Sequence, residues 1–517
     1  MTLDVESAKA ALKAEYDFVR QLQREGKHDE SLAAYDAAID AHYRIAVGLQ
    51  RAGHLEESRN VYLSLVGTGR MLDFALHDLG YLAYTQDDFV KAEAFFVAAH
   101  AIDPASISAM NNLAATYKQL GKHQACLDVS EKVLLTKPDN AAALNCKGAA
   151  LFGMHRYNEA LPVYRQIVNI APDFTEGHVN LAATLKALGK LEESITIFQR
   201  VLEKNPDHAL CNFNYATALL KTGDYRRGFE FFEQRWKSVL AVGRHEFDKP
   251  LWLGDMSLDG RTILLYQEQG LGDAIQFCRY VPMVAELGAN VILRVDDSLV
   301  RLLSGQWPRV RVLGKRAPWP SDFDYHCPLM SLPLAFKTDL RTVPSSQSYL
   351  QADPEISAGW AEKIGKRKTP RIGLVWRGRA EYITDAMRSM RLSDLPEFDL
   401  TRYEVFSLQK EVRDDDAAEL ARRGYKHVGA LLADFVDTAA LVSSMDLVIS
   451  VDTSVAHLAA SLGKKVWVLL STNSDWRWLC DREDSPWYPT VRLFRQERQG
   501  DWSTVLARLL EALHVGI

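Results

Sequence analysis

Small and aromatic residues recur along the first half of the chain at intervals of 34 residues. Two positions are always small, and a third is aromatic except at Ser130. Their members are, in turn, Ala46, Gly80, Ala114, Gly148, Ala182 and Ala216; Ser58, Ala92, Cys126, Ala160, Ser194 and Gly228; and Tyr62, Phe96, Tyr164, Phe198 and Phe232. Small residues let two helices approach closely, and rings fill the space between successive pairs. The pattern therefore predicts stacked helix pairs.

Turn residues follow the same spacing and indicate the type of repeat. Prolines stand at 104, 138, 172 and 206, and glycines at 53, 121, 189 and 223. A 34-residue helix pair is the period of tetratricopeptide repeats. We expect six repeats over about 39–238, preceded by an irregular helix pair whose second helix begins in GKHDESLAAY (26–35). Such an array forms a solenoid with a concave surface, which suits a bound peptide.

Asparagines share one position on the first helix of three repeats: Asn112, Asn180 and Asn214. An amide side chain both donates and accepts hydrogen bonds, so a row of asparagines can hold the backbone of an extended peptide without reading its sequence. The alternative is that each is an ordinary exposed polar residue. The regular spacing favours the peptide-binding interpretation.

Beyond Trp236 the period disappears, and short apolar runs alternate with helical stretches. The runs cover 261–269, 290–295, 371–376, 403–409, 426–429, 447–451 and 465–470. This alternation is typical of parallel sheets covered by helices on both faces. The predicted fold class is thus an all-α repeat solenoid followed by an α/β region of two lobes. Its predicted parts are repeats at 1–238, a connection at 239–260, a first lobe at 261–355 and a second lobe at 356–517.

Composition and charge exclude several classes of protein. The chain has 517 residues, 47% hydrophobic and 25% charged, as expected of a folded multidomain protein. A net charge of −6 provides no basic field for nucleic acid. The six cysteines form no CxxC pair, which argues against a disulfide framework or a structural zinc site. No apolar run is long enough for a membrane span, and no secretory signal opens the chain, so we expect a cytoplasmic protein.

The loop after the strand at 447–451 carries the densest group of candidate residues. Asp452, Thr453 and Ser454 stand where the next helix begins, and free amides there could hold a phosphate without a metal. His457, one turn further on, could hydrogen-bond a phosphate or a sugar hydroxyl. The alternatives are that Asp452 or Thr453 only caps the helix and that His457 is structural.

Two other strand-end loops carry candidate residues that would share one cleft with this helix start, because ligands bind at the carboxyl ends of parallel strands. In GLGD (270–273), Asp273 could accept a proton, or it could simply cap the following helix. In WRGRAEYITDAMRSMRL (376–392), Arg388 could bind phosphate oxygens, with Lys410 as a second cation. For Arg388 the alternative is ordinary surface charge.

Together, GLGDAIQFCRYVP (270–282) and VDTSVAHLAASLGKKVWVLL (451–470) resemble the two-lobed GT-B glycosyltransferases of the bacterial heptosyltransferase type. With the repeats ahead of them, the chain also resembles bacterial relatives of protein O-GlcNAc transferase, including flagellin glycosyltransferases. The resemblance implies that Asp273 is the catalytic base and that Asp452 contacts sugar hydroxyls. It further implies that Thr453 and Ser454 bind the donor phosphates and that Arg388 offsets the leaving-group charge.

The implied function is inverting transfer of a sugar, without a metal or other cofactor, from a nucleotide-activated donor to serine or threonine hydroxyls. The acceptor would be a protein bound by the repeats, with flagellin as one candidate. Two alternatives remain: a catalytically silent scaffold, or a transferase that acts on a glycan and uses its repeats to oligomerise. Charged and polar groups at both strand ends favour an enzyme.

Overall fold

The described chain divides into two compact units, Met1–Thr184 and Leu185–Ile517. The computed structural model describes residues 5–237, 245–378 and 385–516. Residue 238 of the predicted repeats, part of the predicted connection (239–244) and part of the arginine-bearing loop (379–384) therefore lie outside the described residues. Helical repeats form the first unit, and the second contains the last repeat helices and two parallel sheets. The predicted fold class is confirmed.

The helices of the first unit follow the 34-residue grid. A side chain on Gly80 would place its Cβ 2.8 Å from the ring of Phe96, and one on Gly148 would lie 2.7 Å from Tyr164. The small positions therefore make room for the aromatic ones, as the pattern predicts. The helices are α1 (Val5–Arg24), α2 (His28–Arg51), α3 (Leu55–Thr68), α4 (Leu72–Thr85), α5 (Phe89–Ile102), α6 (Ile107–Gln119), α7 (His123–Thr136), α8 (Ala141–Gly153), α9 (Tyr157–Ile170) and α10 (Thr175–Ala187).

The prediction of a separate, irregular helix pair before the first repeat is wrong in one respect. Its second helix does begin near residue 28, but α2 then continues without a turn to Arg51 and includes the first helix of the first repeat. The physical reason lies in AAYDAAIDA (33–41), which holds no glycine or proline and is rich in alanine, the strongest helix former.

The last repeat helices fold together with the sheets. They are α11 (Leu191–Lys204), α12 (Ala209–Thr222) and α13 (Tyr225–Phe232). Residues of α12 and α13 belong to the same buried apolar cluster as residues of both sheets. The indole nitrogen of Trp487 donates to the hydroxyl of Tyr225 over 2.9 Å, and Phe229 meets Trp476 edge to face. This shared core explains why the second compact unit begins at Leu185, upstream of the predicted end of the repeats at 238.

The first sheet has four parallel strands in the order β3-β2-β1-β4. They are β1 (Thr262–Tyr266), β2 (Asn290–Val295), β3 (Val310–Gly314) and β4 (Tyr325–Pro328). Its helices are α14 (Leu271–Phe277), α15 (Val281–Glu286), α16 (Asp297–Leu303) and α17 (Leu332–Ala335). The stretch after the GLGD turn is not one continuous helix, because a 3₁₀ turn at Cys278–Tyr280 separates α14 from α15.

The second sheet has six parallel strands in the order β10-β9-β8-β5-β6-β7. They are β5 (Arg371–Val375), β6 (Glu404–Ser407), β7 (Lys426–His427), β8 (Leu447–Val451), β9 (Lys465–Leu470) and β10 (Val491–Arg495). The helices are α18 (Pro354–Ile364), α19 (Asp385–Arg388), α20 (Asp414–Arg423), α21 (Phe435–Ser443), α22 (Ser454–Ser461) and α23 (Ser503–Val515). The chain leaves β5 toward β6 on one side and returns as β8 on the other. This order creates a crevice at the carboxyl ends of β5 and β8.

Within the described ranges, no helix is long and apolar enough to cross a membrane.

Gly254, which precedes the first sheet, packs directly against the backbone of α17. Substituting it tests whether this close approach contributes to stability. Its φ is +88°, and a Cβ would lie 2.1 Å from the carbonyl oxygen of Ala335. We expect Gly254→Ala to lower the free energy of unfolding by about 2–5 kcal/mol, from backbone strain and steric overlap together. Urea unfolding followed by tryptophan fluorescence measures it, because all 11 tryptophans lie in the second unit.

Gly260→Ala is the matched control for this substitution. Gly260 also has a positive φ, +68°, but nothing lies within 4 Å of its Cβ position. Strain alone should cost about 1–2 kcal/mol. Equal losses in the two variants would contradict the steric explanation.

Candidate active site

A cleft of about 1210 Å³ lies at the carboxyl ends of the two sheets. The GLGD turn of the first lobe meets the start of α22 there, because a Cβ on Gly272 would lie 3.0 Å from Cδ2 of His457 and 3.6 Å from Cα of Ser454. The structure thus brings together the residues that the sequence placed on separate loops. Those lining the cleft are Asp273, Arg388, Lys410, Asp452, Thr453, Ser454 and His457.

The start of α22 lines the cleft without a side-chain cap. Thr453 has extended backbone angles (φ −142°, ψ 166°), and its side chain does not cap the helix. Its hydroxyl instead lies 3.0 Å from the hydroxyl of Ser450. The amides of the first turn precede the hydrogen-bond ladder of the helix, so they can donate to a ligand in the cleft. The capping alternative for Thr453 is therefore not what the structure contains.

His457 is buried in the wall of the cleft. Its Nδ1 lies 2.8 Å from the hydroxyl of Tyr488, and its Nε2 lies 3.8 Å from a carboxylate oxygen of Asp452. The ring stacks on Trp478 with 5.3 Å between centroids. Burial, helped by the charge of Arg477, lowers the pKa of His457 to about 3. The imidazole is consequently neutral at physiological pH and can act only as a hydrogen-bonding group.

Arg388 and Asp452 meet at the end of β8. Nη1 of Arg388 donates to the backbone carbonyl of Asp452 over 2.7 Å, while its Nε pairs with Asp385 at 3.2 Å. Burial, together with the nearby Asp475 carboxylate, raises the pKa of Asp452, and the charge of Arg388 opposes this effect. Arg388 therefore brings a positive charge to the strand end where the sequence analysis expected a phosphate.

Asp273 caps its helix and also faces the cleft. One carboxylate oxygen accepts the amide of Gly270 over 2.7 Å and so caps α14. The other pairs with Arg477, and the side chain keeps 16% of its surface exposed in the cleft. Burial raises the pKa of Asp273, and Arg477 offsets part of that rise. A helix cap and a cleft-facing carboxylate are thus compatible in one residue.

Arg477 and Asp475 are cleft residues that the sequence analysis missed. They pair with each other at 2.8 Å, and Arg477 also reaches across to Asp273 of the first lobe. Although burial lowers it, the two carboxylates raise the pKa of Arg477 above its ordinary value. The arginine- and tryptophan-rich string DWRWLCDRED (475–484) was the available signal, but nothing local in it indicates its partners.

Lys410 lines the cleft from the loop after β6. Its ammonium donates to the carbonyl of Ala433 over 3.0 Å. The preceding side chain, Gln409, accepts the amides of Trp376 and Arg377 and so fixes the loop after β5. Lys410 therefore borders the cleft, but its head group already has a backbone partner.

The three predicted peptide-binding asparagines are half-buried and hydrogen-bonded. Nδ2 of Asn112 lies 2.9 Å from His77, and Asn180 donates to Asn145 over 3.0 Å. Asn214 accepts from Lys186 over 2.7 Å. Each amide thus bonds to another side chain of the array, which leaves only part of its capacity for a peptide.

Among the described residues, no group of three His, Cys, Asp or Glu side chains forms a metal-binding cluster.

Comparisons with known proteins agree with this architecture. Residues 410–499 match the model of glycosyltransferase family 9 (heptosyltransferase), and residues 107–140 and 151–211 match tetratricopeptide repeat models. The chain therefore combines tetratricopeptide repeats with a glycosyltransferase family 9 domain. The family 9 match falls on the second lobe and contains Asp452, Thr453, Ser454 and His457.

One curated relative is Protein FlbA from Caulobacter vibrioides, 27% identical over 321 residues. The match covers 56% of this chain and 52% of that protein, so the chain spans about half the length of the curated relative. Among solved structures, a tetratricopeptide repeat protein from Parabacteroides merdae is 18% identical, with a TM-score of 0.35 over 38% of this chain and 79% of its own. A thermophilic TPR protein of Thermus thermophilus is 18% identical, with a TM-score of 0.30 over 35% and 99%.

The buried imidazole of His457 predicts a specific pH dependence of stability. Its folded-state pKa of about 3 lies below the ordinary value of 6.5, so the unfolded chain takes up the proton first as the pH falls. The stability due to the neutral ring is fully present above pH 6.5 and is lost toward pH 3. We expect His457→Gln to lose less stability than wild type between pH 7 and pH 4.5.

Urea unfolding at several pH values measures this difference. His514→Gln, at an exposed position of α23, is the matched control and should follow the wild-type curve. A His457→Gln curve parallel to wild type would contradict the assignment.

Proposed function

We propose that the chain transfers a glycosyl group from a nucleotide-activated sugar to a protein hydroxyl, without a metal and with inversion at the anomeric carbon. The observation that carries the proposal is the meeting of Asp273 with the start of α22 in one cleft. One side of the cleft holds a proton acceptor, and the other holds an electropositive helix end.

The donor binds mainly to the second lobe. The first-turn amides of α22 and the hydroxyls of Thr453 and Ser454 hold the phosphate next to the sugar, and Arg388 adds a full positive charge. These groups bind more tightly as negative charge develops on the departing phosphate, which is where they lower the barrier. Lys410 extends the cationic lip, while Asp452 and the neutral His457 hydrogen-bond the sugar hydroxyls.

Asp273 acts on the acceptor. The hydroxyl oxygen attacks the anomeric carbon as its proton passes to the Asp273 carboxylate, and the bond from that carbon to the phosphate oxygen breaks. The electron pair of the broken bond leaves with the nucleotide. Attack from the face opposite to the leaving group inverts the anomeric configuration. Burial favours this role, because a raised pKa makes Asp273 a stronger base.

The acceptor hydroxyl belongs to serine or threonine of a protein bound by the repeats, and flagellin is one candidate. Repeats of this type suggest protein binding. Buried carboxylates and an arginine lining one cleft favour an enzyme over a silent scaffold, because such groups are costly to bury without a use.

Asp273→Asn tests the assigned base. We expect the variant to bind nucleotide sugars like wild type and to lose transfer by about 10²-fold or more, since general-base catalysis contributes 10²–10⁴. A thermal-shift panel of nucleotides and nucleotide sugars identifies the donor first. Transfer is then measured by mass spectrometry of the acceptor protein.

Asp322→Asn is the control, because Asp322 is an exposed first-lobe aspartate paired with Arg311. It should keep full transfer. Unimpaired turnover of Asp273→Asn would remove this residue from the mechanism, and a wild-type chain that no nucleotide sugar stabilises would remove the transferase proposal itself.

Asn112→Ala and Asn180→Ala test acceptor binding. Each removes one amide from the predicted peptide row, so we expect transfer at low acceptor concentration to fall about 2- to 10-fold per residue. Hydrolysis of the donor without acceptor should be unchanged. Asn205→Ala, in an exposed turn, is the control. Unchanged transfer in both variants would assign these asparagines to the array alone.

A further inference from the structure

Two lysines from the repeat helices line the cleft beside the sheet residues. Lys186 lies at the end of α10, and Lys221 lies near the end of α12. Both belong to the second compact unit. The wall of the cleft is therefore built partly from repeat helices. The function proposed above assigns no role to these two lysines.

The partners of both ammonium groups are neutral. Lys186 donates to the amide oxygen of Asn214 over 2.7 Å and to the hydroxyl of Thr217 over 2.8 Å. Lys221 donates to the amide oxygen of Asn473 over 3.3 Å. Within the part of the chain that the structure describes, neither lysine forms an ion pair with a carboxylate. Both amino groups thus line the cleft without a carboxylate in contact.

This arrangement is unfavourable in the empty protein. Lys221 is only 5% exposed, and Lys186 is half-buried. Burial lowers the pKa of both lysines, and with the added charge of Lys221 it brings the pKa of Lys186 to about 7. A buried cation is costly unless an anion pairs with it.

Repeat packing does not require a lysine at position 221, which holds different residue types in the earlier repeats. One and two repeats before Lys221, the same position holds Ala187 and Gly153. A small residue therefore satisfies the helix contacts there. The long cationic side chain of Lys221 is therefore not explained by helix packing. Its position in the wall of the cleft explains it instead.

We propose that Lys186 and Lys221, together with Asn473, form an oxyanion-binding subsite that receives an anionic group of the sugar-nucleotide donor. The subsite rests on the proposed function and deepens it. Asp475, which pairs with Arg477 beside Asp273, acts electrostatically on Lys186, Lys221 and Asp452 alike. Asn473 and Asp475 lie two residues apart in the loop after β9, so the subsite adjoins the side of the cleft where Arg477 pairs with Asp273. The oxyanion is either a donor phosphate or a carboxylate on the transferred sugar.

The experiment compares the full chain with Lys186→Met and Lys221→Met by thermal shift. The probes are sodium phosphate and sodium glucuronate, at ionic strength matched with sodium chloride. We expect at least one probe to raise the wild-type midpoint and to bind about tenfold more weakly to each variant, the loss typical of a hydrogen bond to a charged group. Lys190→Met, at an exposed position four residues after Lys186, should behave like wild type.

The same series in an Arg388→Ala background separates this subsite from phosphate held at the start of α22. An anion response that persists there and depends on the lysines supports the subsite. A response that is equal in wild type and both lysine variants overturns it, as does the absence of any response. Lys186→Gln and Lys221→Gln repeat the test if a methionine variant does not fold.

The two probes distinguish the source of the oxyanion. Lysine-dependent binding of phosphate assigns the subsite to the donor phosphates, and lysine-dependent binding of glucuronate assigns it to an acidic sugar. A lysine-dependent response to these probes in a chain that no nucleotide sugar stabilises would contradict the proposed transferase function and leave the anion subsite standing.

Discussion

The arrangement of the cleft depends on one buried cation, Arg477. Three carboxylates lie around it: Asp475 from its own loop, Asp273 from the first lobe and Asp452 from the end of β8. Without a positive charge among them, burial and mutual repulsion would protonate these groups or drive them apart. The guanidinium also lies over the ring of Trp476 at 4.6 Å, which restricts its position. Arg477 therefore links the ends of both sheets and holds their carboxylates close together.

The strands with continuous apolar sequences could be predicted from the sequence, whereas three strands with interrupted apolar sequences could not. β1, β2, β8 and β9 are nearly continuous apolar runs, because both faces of a central parallel strand are buried. β3 (VRVLG), β4 (YHCP) and β10 (VRLFR) are interrupted by arginine, histidine or proline, and each lies at an edge of its sheet, where one side needs no partner. The apolar pattern was too weak there to indicate a strand.

Site residues that lie close together in the sequence could be predicted, and those that lie far apart could not. Asp452, Thr453 and His457 could be predicted because a polar string directly follows a buried strand. Lys221 and Arg477 could not, since only the packing of distant segments brings them to the same cleft. One signal for Lys221 was present in the repeat register, where a lysine stands at the position that Ala187 and Gly153 occupy in the two preceding repeats. Position alone did not show what the lysine would meet.

The apolar core shared by α12, α13 and the two sheets has a consequence for grafting this catalytic module onto other binding arrays. A splice at residue 238, where the repeat pattern ends, would cut Tyr225 from Trp487 and strip the cleft of its helical wall. A chimaera that keeps this chain from the start of α10 onward retains the whole shared core. In natural recombination, the same constraint would make the last repeats travel together with the two sheets.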